Sequence, residues 1–264
     1  MKGFTLRLST ILVAVAFSAV ATFAQGTPSS KATAAINTSV ACTVKGSTNI
    51  GDTIPVDCHD IFTGNPVVVD PDNFAEIMKT TVKVSNSQSL FVSPSLVTGL
   101  FTSTKTKTTT GSTSTVTAMG SVYMRGVLKD SSNNVVAIGY PVAICTDDIL
   151  GCQNNGSGKF GVVLDSRVQT LSQSLSDCVV NVGTTTGTCT FDSTIQLILK
   201  TTSAHTFNLI FPKVGVGVYT LTIEAALKAD GTIGAGSGTA IGAAAYGLGS
   251  LTVESVRLVH DFSF

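Results

Sequence analysis

The sequence contains no tryptophan, and aromatic residues make up only 6% of its 264 positions. Binding hot spots are rich in tryptophan and tyrosine, and this chain has few aromatic residues from which a glycan site with stacked rings could be built. Charged residues are also scarce, at 12%, and 16 basic and 16 acidic residues give a formal net charge of zero. This balance does not attract nucleic acid or an anionic membrane, and we predict no nucleic-acid partner.

Long apolar runs are absent beyond the amino-terminal segment. No later stretch reaches the roughly 18 apolar residues of a membrane-spanning helix, so the sequence predicts no transmembrane helix. The amino-terminal segment carries basic Lys2 and Arg7, an apolar run over residues 11–20, and then small residues. This is the pattern of a secretory signal peptide, cleaved after Ala24 or, alternatively, after Ala21. We therefore expect a secreted protein of the periplasm, the cell surface or the extracellular medium.

All six cysteines follow this segment and form three pairs that are close in sequence. Export to an oxidising compartment makes them disulfide candidates, although sequence alone leaves their connectivity open. Because loop closure favours near neighbours, we expect three local bridges that staple loops: Cys42–Cys58, Cys145–Cys152 and Cys178–Cys189. The spacing of Cys145 and Cys152 is longer than that of zinc-binding or redox-active cysteine pairs, which favours a structural bridge there.

Alternation of apolar and polar residues with a period of two dominates the chain and predicts β-strands with one buried face. It covers residues 115–129, resumes over residues 135–144 after a polar break, and returns before a turn expected at Asp230-Gly231. Further strands are expected at residues 32–45, 76–84, 90–101, 160–164, 193–200, 207–211, 217–228 and 251–259. Together they predict an all-β fold, an antiparallel β-sandwich of jelly-roll or immunoglobulin-like type, in one domain over residues 25–264.

Three segments depart from this alternation. The threonine- and lysine-rich residues 102–115 predict an exposed hairpin tip or edge strand, whose lysines would oppose edge-to-edge association. Residues 166–175 predict a short helix. The glycine-rich residues 231–249 lack the third glycine and the strand–helix context of a nucleotide-binding loop, so they predict a flexible crossover between strands.

Two polar clusters are candidate sites. Asp70, Asp72 and Glu76 supply oxygen ligands in the loose spacing of calcium sites, although turn formation accounts for the same residues without a metal. In the second cluster His59 lies between Cys58 and an aspartate, but Cys58 is expected in a disulfide and no serine elbow accompanies it. Because nucleophile, base and orienting group cannot all be assigned, we predict no enzyme activity.

In its signal pattern, cysteines and strands the chain resembles secreted bacterial β-sandwich proteins of surfaces, adhesins and fibres. We therefore predict an exported, non-enzymatic structural or interaction protein whose partners are further copies of itself or other surface proteins. The alternative is a small secreted module that binds calcium or a glycan. A third hypothesis is an outer-membrane β-barrel, which the terminal Phe262-Ser263-Phe264 favours and the missing tryptophan girdle opposes.

The amino-terminal residues 25–50 allow two further hypotheses. Their apolar positions share one parity, which predicts a strand with a single apolar face: Ala32, Ala34, Ile36, Val40, Cys42 and Val44. This strand is either the first strand of its own sandwich, which we favour, or a donor strand that completes the sheet of a neighbouring subunit. Donation of that kind would build a filament.

The cysteine pattern predicts the outcome of peptide mapping under non-reducing conditions. We expect three bridges in the local pairing and no free thiol. Removing one of them should lower the free energy of unfolding by roughly 2–3 kcal/mol without abolishing the fold, because short loops gain least from closure. Free thiols that release zinc on mild oxidation would contradict the assignment.

Overall fold

The computed structural model describes residues 32–53, 57–58, 61, 67–69, 73–141, 161–183 and 185–256. These residues contain strands and connections but no α-helix, and so no helix there could cross a membrane. The strands are β1 (Ala32–Thr48), β2 (Val67–Val68), β3 (Ala75–Val84), β4 (Gln88–Thr109), β5 (Thr113–Lys129), β6 (Val135–Ile138), β7 (Val162–Ser174), β8 (Cys178–Val182), β9 (Thr185–Cys189), β10 (Asp192–Thr206), β11 (Leu209–Val214), β12 (Gly217–Ala235) and β13 (Ser237–Val256).

The strands form two large open sheets and one small hairpin. Sheet A has the order β10-β4-β13-β1-β2, with β11 also paired to β4. Sheet B has the order β3-β12-β5-β6, with β7 also paired to β5, and β8 pairs with β9. Apart from the parallel pair β1–β2, all these neighbours are antiparallel. The predicted all-β, antiparallel sandwich is therefore confirmed.

Large apolar side chains fill one end of the space between the sheets. Successive side chains of a strand point to opposite faces, so each long strand sends alternate residues into this core. The predicted inward faces of β5 and β12 are confirmed, since Met124, Leu221 and Ile223 are buried there. The core cluster at this end comprises Met78, Val82, Val84, Leu90, Val92, Leu96, Met124, Leu128, Leu209, Phe211, Val214, Leu221, Ile223, Leu251 and Val253.

At the other end the two sheets touch through their backbones. A Cβ added at Gly242 of β13 would lie 2.8 Å from the carbonyl carbon of Met119 on β5. A Cβ added at Gly231 of β12 would lie 2.8 Å from the carbonyl carbon of Ala240 on β13. Stacked sheets are usually about 10 Å apart, so this approach requires residues without side chains. We call this region the narrow end of the sandwich.

The expectations for the glycine-rich segment were therefore wrong. Residues 231–249 form ordered strand, and Gly231 lies within β12 opposite Ala118 of β5 instead of forming a turn. The crossover between the sheets is confined to Gly236, whose φ of 68° suits glycine. Sequence alternation failed here because a glycine in a turn and a glycine under another backbone look the same in sequence.

Two other local expectations also need correction. The segment 166–175 lies mainly in strand β7 and not in a helix, and Gln169, Leu171 and Gln173 are buried or partly buried between exposed neighbours. Residues 102–115 do include a turn, at Gly111 with a φ of 75°. They are not an edge, however, because β4 lies between β10 and β13. Because the inward residues are polar, the hydrophobicity pattern did not identify β7 as a strand and did not show that most of residues 102–109 of β4 are buried.

Strand β1 pairs with β13 of the same chain, as a first strand of its own sandwich would. Its register shifts between Asn37 and Val40, but Ala35 and Ala41, on either side of the shift, both face sheet B. On the opposite, outer face Ile36 is 77% exposed, whereas Val40 and Cys42 are buried in a cluster with Cys58 and Ile61. The apolar face expected for this segment is therefore the outer face of sheet A, and it is covered over only part of its length.

The contact at the narrow end predicts a difference between two glycine substitutions. Gly242→Ala should reduce the free energy of unfolding by about 3 kcal/mol, because backbone atoms facing the new methyl group cannot move aside as a side chain can. Gly234→Ala is the matched control, since its Cβ would lie 3.6 Å from the nearest atom, the carbonyl oxygen of Thr115. Urea unfolding of both variants measures the effect, and equal midpoints would refute the close contact.

Candidate functional site

The predicted calcium ligands are only partly within the described residues. Asp70 and Asp72 lie outside them. Glu76 lies on β3, where its carboxylate is 2.8 Å from Nζ of Lys79 in a partly exposed ion pair. Across the residues that the structure describes, no group of three or more histidine, cysteine, aspartate or glutamate residues could hold a metal ion. The calcium site stays a prediction.

Two of the three predicted disulfides are confirmed. Cys42–Cys58 has a Cα–Cα distance of 5.8 Å, and Cys178–Cys189, which joins β8 to β9, has one of 5.2 Å. Cys145 and Cys152 lie outside the described residues, so their bridge stays a prediction. The sulfur of Cys58 is bonded to another sulfur and is not a thiolate nucleophile, while its neighbour His59 is outside the described part.

Buried polar side chains connect β7 of sheet B to β4 of sheet A. The side-chain carbonyl of Gln169 accepts a hydrogen bond of 2.7 Å from Thr102, and its amide group donates to Thr104. Gln173 accepts hydrogen bonds from Thr106 at 2.9 Å and from Thr108 at 3.2 Å. We call these six residues the glutamine–threonine ladder. The threonines expected on an exposed tip are thus buried, with relative accessibilities of 0% to 1%.

A second set of polar contacts joins β7 to the edge strand β10. Thr98 donates a hydrogen bond of 2.6 Å to Oδ2 of Asp165. Nε2 of His205 lies 3.4 Å from the same Oδ2 and 2.7 Å from Oγ of Ser203. In a catalytic triad, serine and aspartate contact different ring nitrogens of the histidine. Here both approach Nε2, so this arrangement links the strands without forming a proton relay.

Further contacts of β7 attach the middle of β10. Nη2 of Arg167 donates to the hydroxyl of Thr201. The amide of Gln169 donates a hydrogen bond of 2.9 Å to the backbone carbonyl of Leu197. Among the described strands β7 and β10 share no backbone ladder. Side chains alone therefore close this side of the sandwich, which we call the polar seam.

Strand β10 is a long, apolar edge. Within the described residues it pairs only with β4, in an unbroken register over 15 residues. Ile195, Leu197 and Leu199 alternate on its inward side and are 44%, 41% and 41% exposed. Ile198 points outward and is 54% exposed. A strand of this kind presents unpaired backbone groups together with apolar side chains, which favours pairing with another strand.

The longer described edge strands other than β10 carry features that discourage such pairing, while the apolar edge strands β2 and β6 span only 2 and 4 residues. Strand β3 has the charged side chains Lys79 and Lys83, and its pairing with β12 contains a bulge. Strand β7 has Asp165 and Arg167, and it too is bulged. Strand β1 is bulged and partly covered by β2. Charges, bulges and coverage are common protections of sheet edges, and β10 has only Lys200 and the terminal Asp192.

A shallow recess lies beside the outward face of β10. Ile198, Phe101 and Ile241 supply apolar lining to a volume of about 220 Å³. At its rim Nζ of Lys105 is 2.9 Å from Oδ2 of Asp52, and this hydrogen bond lowers the pKa of Asp52 below its ordinary value. The exposed Ile198 of β10 thus borders a recess whose other apolar lining residues, Phe101 and Ile241, are themselves buried.

Sequence reasoning placed a strand at residues 193–200 but missed the importance of its edge. The available signal was the run Ile195 to Leu199, in which apolar residues occupy both faces and not one. For the seam, the signal was the set of polar residues at odd positions of β7, which alternate as inward residues do. Comparisons of the chain with family models, with curated proteins and with solved structures give no match.

The ladder predicts a stability effect that depends on buried hydrogen bonds. Gln169→Leu keeps the side-chain volume but leaves Thr102, Thr104 and the carbonyl of Leu197 without their bonds to residue 169. We expect the free energy of unfolding to fall by about 3 kcal/mol, because buried polar groups lose their partners. Thr170→Ala, on the exposed face of the same strand, should change it by less than about 0.5 kcal/mol. Urea unfolding measures both variants, and similar losses of unfolding free energy would contradict the stabilising role of the hydrogen bonds made by Gln169.

Proposed function

We propose that this chain is an exported, non-enzymatic structural or interaction protein, and that it acts by pairing the free edge of β10 with a strand of a partner. The observation that carries this proposal is the exposed apolar edge itself, with Ile195, Leu197 and Leu199 on one face and Ile198 on the other. In such pairing, main-chain hydrogen bonds supply affinity and alternate side chains supply specificity.

The energy available at this edge is sufficient for recognition. Each of the four aliphatic side chains keeps about half of its surface exposed. Burying that half is worth about 1 kcal/mol per side chain, before any contribution from new backbone hydrogen bonds. Because the polar seam holds β10 in place, little ordering of the strand would be required on docking, and this lowers the entropic cost of binding.

Export is supported by the cysteines. Two local disulfides fit a compartment in which bridges form and persist. The signal-peptide pattern of the sequence points to the same compartment. A disulfide-stapled sandwich that presents the long apolar edge of β10 suits a component of a surface or extracellular assembly.

The test measures native complexes on producing cells and in their medium. After chemical cross-linking, the protein should appear in species larger than the monomer. The double variant Leu197→Lys, Leu199→Lys should reduce that fraction at least tenfold, since about 1.4 kcal/mol of lost affinity is enough. The matched control is Val163→Lys with Val168→Lys, which changes two exposed aliphatic residues on β7.

Stability is checked so that misfolding cannot imitate the effect. Both double variants should keep the thermal unfolding midpoint of the original protein within a few degrees. Ile198→Lys, on the outward face of β10, serves as a second variant if the inward pair proves unstable. Complexes that survive all substitutions in β10, or a protein that is monomeric in its native setting, would overturn the proposal.

A further inference from the structure

We infer that the partner strand is β10 of a second copy of this chain, paired antiparallel about Leu197, so that two copies share one continuous sheet. This inference rests on the proposed use of β10 as an interaction surface and adds the identity of the partner. It follows from the order of residues along the strand, from their charges and from the state of the other sheet edges.

The apolar residues of β10 are self-complementary in one register. When two copies pair about Leu197, each Leu197 faces its equivalent, and each Ile195 faces Leu199 of the second copy. Centring the pair on Gln196 would instead place Leu199 opposite a serine. Centring it on Ile198 would place Ile195 opposite a threonine. Only the register about Leu197 matches all three inward aliphatic residues with one another, and cross-strand apolar pairs of this kind stabilise sheets.

The charges of the strand permit this arrangement. About Leu197, Lys200 faces Thr194 of the second copy, and Asp192 faces Thr202. No like charges are opposed, and like charges directly opposite one another would be destabilising. Cleavage of the predicted signal peptide removes Lys2 and Arg7 and leaves 14 basic and 16 acidic residues, a formal net charge of −2, so two copies repel each other only weakly.

The structure also indicates why assembly would stop at two copies. A two-fold contact uses the same surface on both partners and therefore closes on itself. The other long described edges are charged, bulged or covered, and the exposed apolar strands β2 and β6 are only 2 and 4 residues long, so they offer no comparable second contact. The carbonyl of Leu197 already accepts a bond from Gln169. A carbonyl oxygen has two lone pairs, so this bond leaves one for the partner strand.

The experiment measures distances between spin labels in the purified, secreted protein with its native disulfides. Single cysteines replace Thr194 or Thr202, which are exposed residues of β10. At about 3.4 Å per residue, pairing about Leu197 separates the two labels along the strand by about 20 Å at position 194 and about 34 Å at position 202. Pairing about Ile198 would give about 27 Å at both positions, and pairing about Gln196 about 14 Å and 41 Å.

Sedimentation equilibrium of the unlabelled protein complements the distances. We expect a monomer–dimer equilibrium, a dissociation constant at least tenfold weaker for Leu197→Lys with Leu199→Lys, and no change for Val163→Lys with Val168→Lys. Dimers whose label distances at positions 194 and 202 match pairing about Leu197 support the inference. Dimers with other distances, or species that grow beyond the dimer, overturn it.

One result separates this inference from the proposed function. If the purified protein is monomeric at about 100 μM, well above a micromolar dissociation constant, the second copy is not the partner. Native cross-linked complexes that still depend on β10 would then retain the proposed function with a different partner. If neither native complexes nor dimers form, both proposals are wrong.

Discussion

The contact between backbones at Gly242 and Gly231 determines how the rest of the sandwich is built. Sheets can approach this closely only where side chains are absent, and they separate where Leu90, Leu96 and Phe211 stand between them. The space between the sheets therefore narrows along the strands. Toward its narrow end, β4 exchanges inward leucines for threonines, and these are satisfied by glutamines of β7. The polar interior and the close approach occur in the same region of the molecule.

The sequence predicted those features that depend on local pattern. Alternation identified the buried faces of β5 and β12, and the proximity of cysteines predicted both described disulfides. It failed where the meaning of a residue depends on what faces it from the other sheet. In the sequence Gly231 looks like a turn residue, but in the structure it lies against the backbone of Ala240. Gln169 looks like a surface residue, but its side chain accepts a buried hydrogen bond from Thr102. The first contact joins strands of opposite sheets and the second joins residues 67 positions apart, so neither can be recognised from the pattern along one strand.

The candidate surface depends on the same architecture. Strand β10 is held by one backbone ladder to β4 and, on its other side, by side chains of β7. These contacts fix its position while leaving much of its apolar surface accessible. An edge that is both rigid and uncovered can bind at little entropic cost, and it also favours unwanted association. Among the long described edges, β10 alone combines an unbroken register with exposed aliphatic side chains on both faces.

The pairing of β1 with β13 has a consequence for biogenesis. The first described strand completes its sheet only with the last one, across nearly the whole described chain. Contacts this distant in sequence make folding slow, because a long loop must close before they form. Because synthesis begins at the amino terminus, sheet A would stay incomplete until the last strand has been made. For a protein expected to be exported, this delay would keep the polypeptide unfolded while it crosses the membrane. The sandwich would then assemble after translocation.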